Sequence, residues 1–417
     1  MSDAERVFRE HGELSRRYFI KLGAGALAGA SLARASVEAA PPELAQAIAE
    51  LEYLTRDEEF RNVGRGKPPP HELPPEKRRE VGLHPDTWKL EVVPDPESNA
   101  KLDAPLSTER GTALTWNGLM RLAEDHAVRH LHVTTCLNMD HPLGMGLWEG
   151  VPLRTVVWMA KPVENVRRVF FHGYHHNDPE QLFQSSLPIG RVLEDPPGEP
   201  PVLLCYKLNG EWLSPVRGAP VRMVVPDAYG FKSIKWLNRV VLTNLFHAND
   251  TYAERNNDID SPLKTFARFI SHPETVPAGQ PIPLTGLAQV GISGLSRVQV
   301  WLHSKRAELP SDDASLSKGD WKDAEVLAPP ERWGGELKGG RMPRGVRGLD
   351  AASGKPAAWP MRFTLAHWAI LLPGVPAGTY DLRCRTIDAA GHAQPMPRPF
   401  RKSGRNAIQR VTVRVDG

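Results

Sequence analysis

Cysteine is scarce in this chain: Cys136, Cys205 and Cys384 are the only three in 417 residues. They stand far apart, so the sequence has neither the Cys-x-x-Cys-His motif of a c-type haem nor the paired Cys-x-x-Cys pattern of a zinc site. A disulfide framework is not expected from so few cysteines. Any redox metal must therefore be held mainly by something other than clustered thiols.

Strong charge of one sign and long apolar runs are also absent. The net charge is only +3, which is too mild to indicate nucleic-acid binding. The apolar run LGAGALAGASLA (22–33) is shorter than the roughly 20 residues of a membrane span. It follows SRRYFIK (15–21) and ends at the small-residue site Ala33-Arg34-Ala35. This pattern predicts a twin-arginine signal peptide over residues 1–40, no membrane span and a periplasmic protein.

Residues 41–84 form a separate N-terminal segment in the sequence. Apolar residues at helical spacing predict a short helix over 42–54. The proline-rich stretch after it carries Arg61, Arg65 and Lys67 just before a triple proline, which excludes a helix interior. A solvated linker is the favoured interpretation, and the alternative is an arm laid over a site that needs positive charge.

Cys136 stands at the end of a predicted strand, VRHLHVTT (128–135), which follows a predicted helix. In α/β layouts, sites gather at such strand ends. Cys205 and Cys384 instead lie inside apolar strands, where a small buried side chain is expected. Cys136 is therefore the cysteine with a chemical role, either as a metal-binding thiolate or as a nucleophile that needs a nearby general base.

The character of the sequence changes after about residue 265. Period-two alternation in RVQVWLHS, TYDLRCRT and RVTVRV, with glycine-containing turns, predicts an antiparallel β-sandwich. The alternation places Cys384 inward, and Asp381, Arg383 and Arg385 outward. Residues 309–360 look like long excursions from this sandwich.

A cluster of basic residues with almost no acids lies between positions 217 and 239: Arg217, Arg222, Lys232, Lys235 and Arg239. Around a turn, such residues can converge on one anion, with arginine supplying paired donors and lysine a point charge. The apolar surroundings favour a phosphate or oxyanion site over a solvated surface.

Together with Cys136, several segments make the chain resemble the sulfite oxidase family of molybdenum enzymes over most of residues 60–417. These segments are GLWEGVPLRTVVW (146–158), SSLPIGRVL (185–193), LLCYKLNGEWL (203–213), GAPVRMVVPDAYGFKSIKWL (218–237) and AGTYDLRCRTIDAAGHAQP (377–395). The resemblance implies an α+β fold: a mixed α/β molybdopterin-binding domain over 85–262 and an immunoglobulin-like dimerisation domain over 263–417.

The resemblance also implies site residues. Molybdenum would be held by the dithiolene of one molybdopterin and by the thiolate of Cys136. Lys232, Ser233 and Lys235 fall in the family's pterin-binding segment, and Arg222 of the same segment is predicted to bind the cofactor with them. Arg217 stands where the family has a histidine, and it is predicted both to bind the cofactor and to take part in catalysis.

The chain departs from the family at two places. Phe183 stands where sulfite oxidases have an active-site tyrosine, and a phenyl ring cannot donate a hydrogen bond. The loop after Cys136 lacks their arginines. Replacements for the missing groups are predicted on the arm (Arg61, Arg65, Lys67), at the C-terminus (Arg401, Arg405) and at Tyr174 and His175.

The predicted function is that of an exported molybdenum oxidoreductase that oxidises sulfite or a related small sulfur anion. With no haem motif in the chain, electrons would pass to a separate carrier such as a cytochrome c. A homodimer is implied by the resemblance. Two alternatives stay open: a reductase of nitrate or a sulfoxide with the same cofactor, and a cofactor-free exported binding protein.

Overall fold

The computed structural model describes residues 42–196, 198–309 and 316–417. The predicted signal peptide at residues 1–40 lies outside them. The described α-helices are α1 (Pro42–Ala49), α2 (Pro75–Glu80), α3 (Trp116–His126), α4 (Leu153–Met159) and α5 (Ile189–Leu193). The described strands are β1 (Lys89–Pro94), β2 (Leu114–Thr115), β3 (Val128–Thr134), β4 (Gly144–Pro152), β5 (Arg168–Gly173), β6 (Gln184–Pro188), β7 (Leu203–Leu208), β8 (Glu211–Trp212), β9 (Arg222–Val224), β10 (Leu237–Thr243), β11 (Phe266–Ser271), β12 (Thr275–Pro277), β13 (Ile282–Gln289), β14 (Arg297–Ser304), β15 (Lys322–Val326), β16 (Leu365–Leu372), β17 (Gly378–Ile387) and β18 (Gln409–Asp416).

The N-terminal half contains a mixed sheet in the order β2-β1-β10-β5-β6. Strands β1 and β10 are parallel, whereas the other pairs are antiparallel. Alternate residues such as Leu90 and Val92 are fully buried and share one core with Val240 and Leu242. The period-two burial explains why these residues form strands with one face against the helices.

A second, antiparallel sheet has the order β3-β4-β7-β8, with β9 paired to β7. Every residue of β4 is buried, and so are the last five of β3. The backbone N–H of Gly230 donates to the carbonyl of Thr135 at 2.8 Å. This bond joins the end of β3 to the loop after β9, and it therefore brings the two segments predicted to carry the site together.

The C-terminal half is a β-sandwich, as predicted. One sheet contains β11, β13 and β16, the other β14, β17, β18 and β12, and β15 pairs with both β14 and β16. Val298, Cys384 and Val413 are fully buried between them. Among the described residues, no helix has the length and apolar character needed to span a membrane.

The prediction that Asp381, Arg383 and Arg385 face solvent is wrong, because all three are buried. Arg383 donates to Asp381 at 3.0 Å, and the guanidinium of Arg385 lies 4.1 Å from the ring centroid of Trp321. Paired charges and long aliphatic stems allow such residues to be covered.

The long segment between β15 and β16 leaves the sandwich, as predicted. It packs on the N-terminal half: Leu54 N–H donates to the carbonyl of Trp333, and Val133 N–H to that of Phe363, both at 2.8 Å. Trp333 and Phe363 are buried in one core with Val133 and Leu54. The segment therefore braces the strand that ends beside Cys136.

Candidate active site

A cleft of about 990 Å³, including its open mouth, lies where the ends of β3 and β5, the loop after β9 and the N-terminal arm meet. Five cationic side chains line it: Arg61, Arg65, Arg217, Arg222 and Lys235. No carboxylate is found among the described residues that line the cleft. This wall composition suits an anion.

Cys136 presents its free thiol to this cleft, two residues beyond the end of β3. Its carbonyl accepts from the N–H of Met139 at 3.0 Å, which turns the chain directly after the strand. The other two cysteines are fully buried, and burial raises the pKa of Cys205 to about 12 and that of Cys384 further still. Cys136 is therefore the one cysteine placed to act as a thiolate ligand in the cleft.

The floor of the cleft is built by two buried arginines. Arg222 donates to the carbonyls of Arg217 (3.0 Å) and Ser233 (2.8 Å), and burial lowers its pKa to about 10. Arg217 pairs with Asp57 at 3.0 Å and donates to the carbonyl of Phe60 at 2.8 Å. Because both guanidinium groups are fixed by backbone contacts, their charge is preorganised toward the cleft.

Lys235 adds an amine whose protonation is disfavoured by its surroundings. Burial, followed by the charges of Arg222 and Arg217, lowers the pKa of Lys235 to about 6. Its ammonium donates to Asn62 Oδ1 at 2.6 Å. An anion bound beside Lys235 would relieve this repulsion and favour the protonated amine.

A tight turn at Pro215–Arg217 aims Arg217 into the cleft, and Gly218 ends it with φ +105°. A Cβ at Gly218 would lie 2.8 Å from Lys235 Cβ. Gly210 also has positive φ, at +90°, but has open space around it. Alanine substitutions at Gly218 and Gly210 therefore distinguish the cost of backbone strain from the cost of steric contact.

We expect Gly218→Ala to destabilise the protein by at least about 2 kcal/mol, because a left-handed alanine costs about 1 kcal/mol and the overlap with Lys235 adds to it. Gly210→Ala should cost only the backbone part. Urea unfolding of both variants measures the difference. Equal midpoints would show that Gly218 does not set the position of Lys235.

The N-terminal arm lines the cleft, as in the alternative interpretation, while its residues 61–65 stay exposed to solvent. Arg61 N–H donates to the carbonyl of Leu143 at 3.0 Å, and Lys67 N–H to Gln181 Oε1 at 2.8 Å. A proline-rich strand-like segment has few partners of its own, and its N–H groups find them on the rim. Arg61 and Arg65 enter the cleft; Lys67, Arg401 and Arg405 are not among its lining residues.

Lys232 is placed away from the cleft, and the structure does not support its predicted contact with the cofactor. Its ammonium is buried and donates to the carbonyl of Ser186 at 2.7 Å, and burial lowers its pKa to about 8. Ser233 and Lys235 do line the cleft. Arg239 is also outside it and pairs with Glu91 at 3.1 Å. The turn after Tyr229 sends neighbouring side chains to opposite sides.

The sequence gives no signal for Tyr252, a polar residue of the site. It lines the cleft, with its ring stacked on Phe231 at 3.9 Å and edge-on to Phe183 at 5.7 Å. The Arg65 guanidinium lies 3.3 Å from the ring centroid of Phe183. Tyr174 also lines the cleft, and burial raises its pKa. No motif marks Tyr252, because it lies in an irregular segment after β10.

Comparisons with known proteins show which class of enzyme the chain is similar to. Residues 81–250 match the oxidoreductase molybdopterin binding domain. The chain is 28% identical to sulfite oxidase of Gallus gallus over 261 residues (60% of this chain, 50% of the relative). It is 27% identical to the protein-methionine-sulfoxide reductase catalytic subunit MsrP of Campylobacter jejuni over 245 residues (55% and 73%). The chain is therefore a molybdopterin-binding oxidoreductase that is similar to sulfite oxidase and MsrP.

Other relatives match over a smaller part of the chain or at a lower identity. A nitrate reductase [NADPH] of Beauveria bassiana is 31% identical over 113 residues, which are 26% of this chain but only 12% of the relative. The crystal structure of the sulfane dehydrogenase SoxCD from Paracoccus pantotrophus superposes with a TM-score of 0.54 and 17% identity, covering 84% of this chain and 86% of that one. This last likeness shows a common fold.

The residues of the cleft fit the family's molybdopterin cofactor. A soft thiol stands at one side, as a molybdenum ligand requires, and Arg217, Arg222 and Lys235 offer charge-assisted donors for the cofactor's phosphate. Ser233 Oγ accepts from Val225 N–H at 3.1 Å, which fixes its side chain at the cleft wall. Cys136, Arg217, Arg222, Ser233 and Lys235 are the residues that would hold the group.

Proposed function

We propose that this protein is an exported molybdenum oxidoreductase that oxidises sulfite or a related small sulfur anion and passes the electrons to an external carrier such as cytochrome c. The observation that carries the proposal is a thiol facing a cleft with five cationic side chains and, among the described lining residues, no carboxylate. Such a cleft attracts a small anion, whereas a neutral substrate gains little from its charge.

When bound, the molybdenum cofactor supplies oxygen-atom transfer coupled to a two-electron redox change. The chain's own residues bind and orient the cofactor and the substrate. Cys136 would hold the metal, while Arg222 and Lys235 would hold the anionic end of the cofactor. Arg61 and Arg65 draw the substrate in from the mouth, and the rings of Phe183 and Phe231 exclude water, which strengthens each of these electrostatic contacts.

The rival direction, reduction, draws support from the relatives whose names are nitrate reductase and methionine-sulfoxide reductase. Nitrate is an anion and would suit the same cations. A sulfoxide is neutral and gains little from Arg61 and Arg65. The charge of the cleft therefore favours an anionic substrate over a sulfoxide.

Steady-state assays test the proposal. We expect purified protein to reduce ferricytochrome c when sulfite is added, with a KM that rises with ionic strength because the attraction is screened. Reduction of nitrate or methionine sulfoxide by a reduced dye, without sulfite oxidation, would establish the rival direction. Elemental analysis that finds no molybdenum in active preparations would support a cofactor-free binding protein instead.

Export by the twin-arginine route and a homodimer formed through the sandwich complete the proposal. The sequence SRRYFIK supports the first. Cell fractionation tests export, and analytical ultracentrifugation tests the homodimer. A cytoplasmic protein would contradict export and a monomer would contradict the dimer, but neither result would change the proposed reaction.

A further inference from the structure

Tyr252 is held in place by a buried polar network behind the cleft wall. Asp250 is 1% exposed, and its Oδ1 accepts from the N–H groups of Tyr252 (2.9 Å) and Ala253 (3.0 Å). Its Oδ2 accepts from Ser186 Oγ at 3.3 Å. Lys232 donates to the carbonyl of Ser186, as described above. The network fixes the turn that carries Tyr252, and it gives Lys232 a supporting role on the far side of the wall.

The ring of Tyr252 is fixed as firmly as its backbone. It lies parallel to Phe231, with an interplanar angle of 1°, and meets Phe183 at 83°. The side chain is only 7% exposed, yet it reaches the cleft. Because apolar rings pack against the Tyr252 ring, its hydroxyl is the polar group of this side chain that can bind a ligand in the cleft.

Arg65 stands beside that hydroxyl. Its guanidinium rests on the ring of Phe183, whose edge also meets the Tyr252 ring, and both Arg65 and Tyr252 line the cleft with Cys136. A guanidinium stacked on a ring keeps its N–H edge free for an oxyanion. A phenol is protonated at neutral pH and can donate to the same oxyanion.

We propose that Tyr252 and Arg65 together bind the oxyanion of the substrate, with the Tyr252 hydroxyl donating the hydrogen bond that Phe183 cannot. Phe183 then serves as the platform on which Arg65 lies. The inference rests on the proposed function, and it names the substrate class more closely: a small anion with oxygen atoms that can accept from a phenol and a guanidinium at once. A neutral sulfoxide would use only one of the two donors well.

Tyr252→Phe tests the inference and keeps the ring stack. Tyr380→Phe is the matched control, because Tyr380 lies in β17, is not among the residues that line the cleft, and donates from its hydroxyl to the carbonyl of Pro376 at 2.9 Å. The readouts are kcat and KM for sulfite, the Kd of the unreactive anion sulfate by calorimetry, and molybdenum content. We expect Tyr252→Phe to raise KM and the sulfate Kd by about tenfold or more, as for a lost hydrogen bond to a charged group. Molybdenum content should not change, and Tyr380→Phe should stay within about twofold of the wild type.

Unchanged KM and sulfate Kd in Tyr252→Phe would overturn the inference, and so would equal effects in both variants. A loss confined to molybdenum content would also overturn it, since that indicates a structural role. If the wild type oxidises no sulfite but sulfate binding still weakens in Tyr252→Phe alone, the oxyanion contact stands and the proposed reaction fails.

Discussion

Replacing Cys136 with serine is expected to strip molybdenum from the protein and to lower sulfite oxidation by more than about 100-fold. Loss of a residue that merely orients a metal ligand costs roughly 10- to 100-fold, so loss of the ligand itself should cost more. Serine matches cysteine in shape, but its hydroxyl is a hard and weakly acidic donor, whereas a thiolate is soft and remains deprotonated on a metal.

Cys384→Ala provides the control for this experiment, because Cys384 is fully buried in the sandwich core and does not line the cleft. It should keep its molybdenum and its activity while losing some stability to a small cavity. Elemental analysis and steady-state rates on both variants give the comparison. A metal-replete and fully active Cys136→Ser protein is the outcome that the assignment cannot accommodate.

The second large effect is expected for Lys235→Met. This substitution should weaken cofactor binding, but it should stabilise the cofactor-free protein. Lys235→Met should weaken cofactor retention by about 10- to 100-fold, as for a lost charged hydrogen bond to a phosphate. In cofactor-free protein, the same change removes a buried amine that burial and two arginines disfavour. The cofactor-free variant should therefore be more stable than the cofactor-free wild type near neutral pH.

The pKa of Lys235 fixes how this difference depends on pH. The folded value is about 6 and the ordinary value is 10.5, so between these limits the unfolded chain binds a proton that the folded protein does not. Stability of the cofactor-free wild type should rise with pH across that window, relative to Lys235→Met. Urea unfolding at pH 6.5 and pH 9 measures the relative change.

Lys207→Met is the matched control, because Lys207 lies outside the cleft and is 3.8 Å from Glu149. It should keep its cofactor and show the pH slope of the wild type. If the free energy of unfolding has the same pH dependence in Lys235→Met and in the wild type, the pKa of Lys235 is not lowered. Normal molybdenum content in Lys235→Met would show that Lys235 does not bind the cofactor.

The sequence predicted the parts of the molecule that follow a local pattern. Period-two alternation reveals a strand, and the position of Cys136 after β3 follows directly from where that alternation stops. The sandwich was predictable for the same reason. Ser233 and Lys235 required the family resemblance, because a cluster of cations indicates an anion site without telling which cations face it.

The remaining features depend on contacts that no local pattern encodes. A proline-rich arm has no periodicity, so its position over the cleft is visible only in the hydrogen bonds of Arg61 and Lys67. Lys232 and Lys235 share a turn, and only the folded loop shows which one points inward. Tyr252 reaches the site through the network of Asp250, which joins segments distant in the chain.

Molybdenum X-ray absorption on the wild-type protein tests the central claim most directly, since it counts the sulfur atoms bound to the metal. We expect one sulfur more than the cofactor's own dithiolene supplies, contributed by Cys136, the cysteine that faces the cleft. A sulfur count that the dithiolene alone explains, or a protein that binds no molybdenum, would contradict it.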